Sequence, residues 1–240
     1  MTSLREASAI VNWHLGRARY IFIHIPKNAG VSVRKSPELK GRLISADSYF
    51  HKSRAYTHEL AKTMVDAGEH HGFQHARWRD INPKVTDRLK AVGVVRNPWA
   101  RTVSRWRFGQ LAVKQGKSPA SAAAETFEEF LEQRNVWGGK EYYWHRAVRG
   151  WYPQTDYATD AEGTLRVDLL RFENLDSDST QYFGLKHPIG KRNRTARTPF
   201  RYQDVYTPKT MQIVADWYQK DIDFFGFEFG TAATRNAVFS

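Results

Sequence analysis

Cysteine is absent from all 240 residues, which excludes disulfides, thiolate zinc sites, iron–sulfur clusters and a cysteine nucleophile. No apolar run approaches the roughly 18 residues that a membrane span needs. Nor is there a signal peptide near Met1: Arg5 and Glu6 are followed only by the short apolar stretch Ala9 to Val11. These absences predict a soluble, cytoplasmic protein in a reducing compartment. Acid is also missing, from two segments. Residues 88–124 hold eight Lys or Arg and no Asp or Glu, and residues 179–203 hold six and none. Together they carry +14 in a chain of net charge +12, so the remainder sums to −2. Basicity gathered in this way points to an anionic ligand or surface.

What is present describes a globular chain. Hydrophobic residues make up 41% and charged residues 26%, outside the disordered and fibrous ranges. The length suits one domain over residues 1–240 with a sizeable core, and no repeat or linker divides it. Tyr20 to Ile25 is a β-rich run stopped by Pro26, Ala91 to Val95 a second, and Val167 to Phe172 a third. Helices are predicted after Gly30, over 54–67, after Asn97-Pro98, around Phe127, Phe130 and Leu131, and around Ile213, Val214 and Trp217. Asn97 suits the cap of its helix and Pro98 the first helical position. Strands separated by helices predict an α/β layer fold with a central, largely parallel sheet.

Two segments carry candidate chemistry. The first is the turn Pro26-Lys27-Asn28-Ala29-Gly30-Val31-Ser32, between a strand and a helix start. Such a turn aims backbone N–H groups at one point, which suits a phosphate or sulfate; Lys27 adds a mobile charge and Ser32 a hydroxyl. It is not a Walker A loop, because Lys27 precedes the glycine instead of following it. The second runs from Val94 to Arg107. Arg96 stands at the carboxyl end of a strand, where open α/β sheets bind ligands. In the helix that follows, Trp99, Val103 and Trp106 share one face, and Arg101, Ser104 and Arg105 fall on the other. A solvated basic helix face accounts for these arginines; a phosphate clamp accounts for Arg96 as well.

Taken together, the segments resemble the cytosolic-type and carbohydrate sulfotransferases that use 3′-phosphoadenosine 5′-phosphosulfate (PAPS). Pro26 to Val33 resembles that family's 5′-phosphosulfate loop, with Asn28 and Val31 where threonines are usual. Arg96, Asn97, Pro98, Arg101 and Ser104 match its 3′-phosphate motif, Leu170 to Leu175 its third strand motif, and Tyr206 to Phe229 its carbohydrate-type C-terminus. The resemblance spans roughly residues 20–229. It implies a P-loop-like three-layer fold, transfer of a sulfuryl group from PAPS to a carbohydrate hydroxyl, and donor contacts from Lys27, Asn28, Ala29, Gly30, Val31, Ser32, Arg96 and Ser104. The product would be 3′-phosphoadenosine 5′-phosphate. Val31 removes one hydroxyl donor, whereas Asn28 keeps a side-chain donor, so donor binding is expected to persist.

Sulfuryl transfer needs positive charge on the leaving phosphate, for which Lys27 is the candidate. It also needs a base for the acceptor proton, and a histidine titrating near neutrality suits. The family resemblance places a histidine between the two motifs. His75 lies 21 residues before Arg96 and fits best; His58, 38 residues before it, is second, and His71 fits less well. His71 and His75 with Asp80 offer no strong third-ligand spacing, so no metal is expected. Lys191 and Arg192, in the basic stretch Lys186 to Arg201, suit either a cover over the 3′-phosphate or a contact to an anionic acceptor. Two other classes compete: a nucleotide phosphotransferase, and a non-enzymatic basic module for anionic polysaccharide or nucleic acid. No nucleic-acid-binding signature appears.

Overall fold

A computed structural model of the chain describes residues 4–116, 118–190 and 200–240. Helix α1 (Leu4–His14) leads into β1 (Tyr20–Ile23), the short helix α2 (Gly30–Arg34) and β2 (Leu43–Ser45). Then come α3 (Arg54–Asp66), α4 (Pro83–Thr86), β3 (Lys90–Val95), α5 (Pro98–Lys114), α6 (Phe127–Trp137) and α7 (Thr155–Ala158). The chain closes with β4 (Asp168–Arg171), α8 (Leu175–Phe183), α9 (Pro208–Trp217) and α10 (Gln219–Phe225). Among the described residues no helix is long and apolar enough to cross a membrane.

The four strands form one sheet in the order β2-β1-β3-β4, with every pair parallel. Parallel strands joined by helices are covered on both faces, so their side chains are apolar on both. Ile21, Ile23, Ala91, Val95 and Leu169 face a large core that takes in Leu60 and Met64 of α3, Phe130 and Leu131 of α6 and Phe225 of α10. Phe22, Val92, Val94 and Leu170 face a smaller core closed by Val33 of α2 and by Leu175 and Phe183 of α8. The α/β layer expectation is met, with one strand more than the sequence suggested. That strand, β2, has only three residues.

The chain leaves β1 toward β2 on one side, whereas β3 continues toward β4 on the other. The order therefore switches between β1 and β3, and open α/β sheets bind ligands outside the carboxyl ends of strands at such a point. The segments after those two ends begin at Pro26 and Arg96.

Candidate active site

Pro26 stops β1, and the turn after it is built from unusual backbone. Lys27 has φ 68° and Ala29, the cap of α2, has φ 58°. Both lie in the left-handed region that non-glycine residues seldom enter and that clusters at functional sites. Gly30 is required for a different reason: a Cβ there would overlap the His24 ring. Val31 is half-buried and Ser32 is buried in this first turn. The opening N–H groups of a helix have no carbonyl four residues back to bond.

The second segment starts where β3 ends. Asn97 caps α5 as expected, its Oδ1 accepting from the N–H groups of Trp99 (3.1 Å) and Ala100 (3.4 Å). Its own N–H donates to Glu173 Oε1 at 2.9 Å, which ties in the segment after β4. Arg96 folds back over the first loop: Nη1 donates to the Lys27 carbonyl at 3.0 Å, and its guanidinium lies 4.0 Å from the Phe172 ring centroid. Its Nε–H is buried with no partner among the described residues, a donor that an anion would satisfy. Burial lowers the Arg96 pKa to about 10, still far above neutrality.

Lys27 Nζ sits 4.0 Å from the centroid of Phe108, one turn of α5 beyond Ser104. Burial, and then the nearby Arg96 charge, lower its pKa to about 7. A lysine held in this way gains from any anion placed beside it. Ser104 is half-buried, and no hydrogen bond among the described residues joins it to Lys27 or Arg96.

Arg101 and Arg105 depart from the amphipathic expectation. Both are fully buried rather than solvated. Arg101 donates from Nε to the Pro26 carbonyl (3.3 Å) and from Nη1 to the Tyr152 carbonyl (3.0 Å). Arg105 donates to the Tyr218 hydroxyl at 2.7 Å and to the Val148 carbonyl. Helix α5 runs through the interior, so its charged face meets protein carbonyls where a surface helix would meet water.

His75 is buried against the end of β1. Its Nδ1 donates to the His24 carbonyl at 2.7 Å, since a carbonyl can only accept, and this leaves the lone pair on Nε2. Its ring lies 4.3 Å from the His24 ring. The expected titration near neutrality is not met. Burial drives the His75 pKa to about 3, against the opposing effect of the His24 carbonyl, so the imidazole is neutral at pH 7. His58 is exposed on α3 and lines a cavity of about 450 Å³ with Tyr49, Arg54 and Phe73. A larger cavity, about 700 Å³, is lined by Trp13, Tyr49, His51, Lys84 and Arg88. Neither cavity is lined by Lys27, Arg96 or His75. His71 is half-buried and stacked 3.8 Å from Phe73. Lys191 and Arg192 lie outside the described residues.

Nothing in the local sequence marks Gln154. It is fully buried, stands just before the first turn of α7 and bonds to both loops at once. Its Oε1 accepts from Asn28 Nδ2 (2.6 Å) and from the Arg96 N–H (2.9 Å). Its Nε2 donates to the Arg96 carbonyl (2.8 Å) and to Asp221 Oδ2 (3.3 Å). Asp221 in turn accepts from the N–H groups of Gln154 (2.7 Å) and Thr155 (2.9 Å), while burial raises its pKa. The second donor of Asn28 goes to the Val94 carbonyl at 2.7 Å. Both amide hydrogens of Asn28 are thus spent within the protein, so its side chain supports the loop and offers no N–H outward.

A parallel α/β sheet whose two cationic loops meet beyond its strand ends at the switch point defines the class: an α/β fold with an arrangement that suits an anionic ligand. The family model for the sulfotransferase family matches residues 19–228, and the chain belongs to that family. No curated protein and no solved structure gives a significant match.

Proposed function

We propose that the chain transfers the sulfuryl group of PAPS to a hydroxyl of a carbohydrate or glycan. The observation that carries this reading is the contact between the Arg96 guanidinium and the Lys27 carbonyl. It joins the two donor-type loops at the switch between β1 and β3. In this reading the Lys27 to Ser32 loop receives the phosphosulfate end through the backbone of Lys27, Asn28, Ala29, Gly30 and Val31 and through Ser32. Arg96 and Ser104 receive the 3′-phosphate, and the unpartnered Arg96 Nε–H supports that fit.

PAPS supplies the sulfuryl group and a phosphate leaving group. Lys27 stabilises the negative charge that grows on the bridging oxygen as its bond to sulfur breaks. His75 takes the acceptor proton at Nε2 as the acceptor oxygen bonds to sulfur, and the His24 carbonyl fixes the tautomer that makes this possible. Bound phosphates would raise the pKa values of both Lys27 and His75, since a nearby negative charge favours their charged forms. The lack of cysteine supports a reducing, cytoplasmic setting.

The test is thermal unfolding with 3′-phosphoadenosine 5′-phosphate, ATP with Mg²⁺, and a heparin fragment in parallel. A ligand that binds only the folded state raises its melting temperature. Selective stabilisation by the bisphosphate supports the sulfotransfer reading. Stabilisation by ATP with Mg²⁺ alone, or by heparin alone, replaces it with a phosphotransferase or a binding module.

A further inference from the structure

Strand β1 pairs with β3 only as far as Ile23 opposite Gly93. Beyond that point β3 continues, while the segment after β1 turns away at Pro26. In a parallel pair, successive residues direct their backbone polar groups to alternate neighbours. The Val95 carbonyl accepts from the Phe172 N–H on the β4 side, at 2.8 Å. Val94 and Arg96 therefore face the side that β1 has vacated. Two side-chain amides fill that gap: Asn28 takes the Val94 carbonyl, and Gln154 takes both the N–H and the carbonyl of Arg96. The two amides then bond to each other at 2.6 Å. Gln154 uses both lone pairs and both hydrogens of its amide, which leaves it a single orientation.

We propose that Gln154 is a positioning residue that acts with Asn28 to lock the Lys27 loop to the Arg96 segment, continuing the sheet in side chains so that both ends of the donor are gripped in register. This rests on the donor-binding reading above. It also accounts for this chain's departure from the family's loop. A threonine hydroxyl has one hydrogen to give, whereas position 28 must serve two acceptors 2.6 and 2.7 Å away. Threonine, usual in the family, is therefore the wrong residue at position 28 in this chain.

The experiment is calorimetry of 3′-phosphoadenosine 5′-phosphate on the parent protein, Asn28→Thr, Gln154→Met and the double variant, with steady-state kinetics alongside. Asn28→Thr should weaken the bisphosphate about tenfold, the scale of one buried hydrogen bond left unmade, and Gln154→Met, which removes four, should weaken it at least as much. The double variant should lose little more than the worse single, because both changes break one linkage. The donor KM should rise with the acceptor KM unchanged, which a general loss of stability would not produce. Parent-like affinity in Asn28→Thr, or losses that multiply, would overturn the proposal. If Gln154→Met does not fold, the affinity of Asn28→Thr decides alone. A folded parent that ignores the bisphosphate refutes the donor reading. The linkage is then read from hydrogen exchange at the Arg96 amide: about tenfold faster exchange in Asn28→Thr supports it, and unchanged exchange overturns it.

Discussion

The guanidinium of Arg96 donates to the main-chain carbonyl of Lys27 at 3.0 Å, across 69 positions of sequence. That side chain holds the first loop while its Nε–H stays buried without a partner among the described residues. Arg96→Ala should weaken 3′-phosphoadenosine 5′-phosphate by about 2 kcal/mol or more, because a charged donor is lost and the loop is released. Ser104→Ala should cost less. Calorimetry on both variants checks the order, and unchanged affinity in Arg96→Ala would remove the main support for the donor site.

Lys27 should separate binding from chemistry. Its charge matters most where negative charge develops, so Lys27→Ala should lower turnover far more than bisphosphate affinity. Its lowered pKa adds a pH signature. In the free protein the ammonium loses its proton as pH rises through about 7, so kcat/KM for the donor should fall above that pH. Lys27→Ala should flatten that dependence. A profile that keeps its alkaline fall without Lys27 would assign the titration to another group.

For His75, replacement by alanine should leave bisphosphate affinity nearly unchanged and lower turnover by about 10²–10⁴, the usual contribution of a positioned acid–base group. With its pKa held near 3 by burial, His75 is neutral throughout pH 5–8. It should therefore produce no acid limb in kcat/KM within that window. An acid limb that vanishes in His58→Ala, with His75→Ala active, would move the base to His58.

Burial of histidines also sets the response to acid. His24, His51, His75 and His145 are all buried, and burial lowers the pKa of each, to about 3 for His75 and His145. Unfolded, each binds a proton near pH 6.5. The unfolded state therefore holds more protons below that pH, so stability is full above it and is lost as pH falls toward the folded values. The slope reaches at most about 1.4 kcal/mol per pH unit for each histidine. Urea unfolding at pH 7.5 and 5.5 should show a clear fall at the lower pH; equal stabilities would mean that these rings are open to water.

Much of this arrangement was legible in the residues. β1 and β3 announce themselves as apolar, β-branched runs stopped by Pro26 and by Asn97-Pro98, and β4 as the run Val167 to Phe172, with their ends set within two residues. The Lys27 and Arg96 loops follow from those strand ends. β2 was not legible, because Leu43–Ser45 is too short to show a period. Arg101 and Arg105 misled for a physical reason: periodicity assigns charged positions to water, and only tertiary packing reveals carbonyls waiting at the other end. Asp221 lies in the Tyr206 to Phe229 segment that carried the resemblance, but Gln154 showed no local signal, since its partners in the two loops lie 58 to 126 positions away.

The grip of Arg101 on the Pro26 carbonyl and of Arg96 on the Lys27 carbonyl involves main-chain oxygens only. Every substitution at positions 26 and 27 keeps those oxygens. At these two positions the loop is thereby held independently of the side chains that Pro26 and Lys27 carry, while Asn28 and Gly30 remain fixed requirements, and the reactive group at Lys27 can be exchanged as a replaceable part. A substitution series at Lys27 that varies charge and length should then report on chemistry in an unaltered frame.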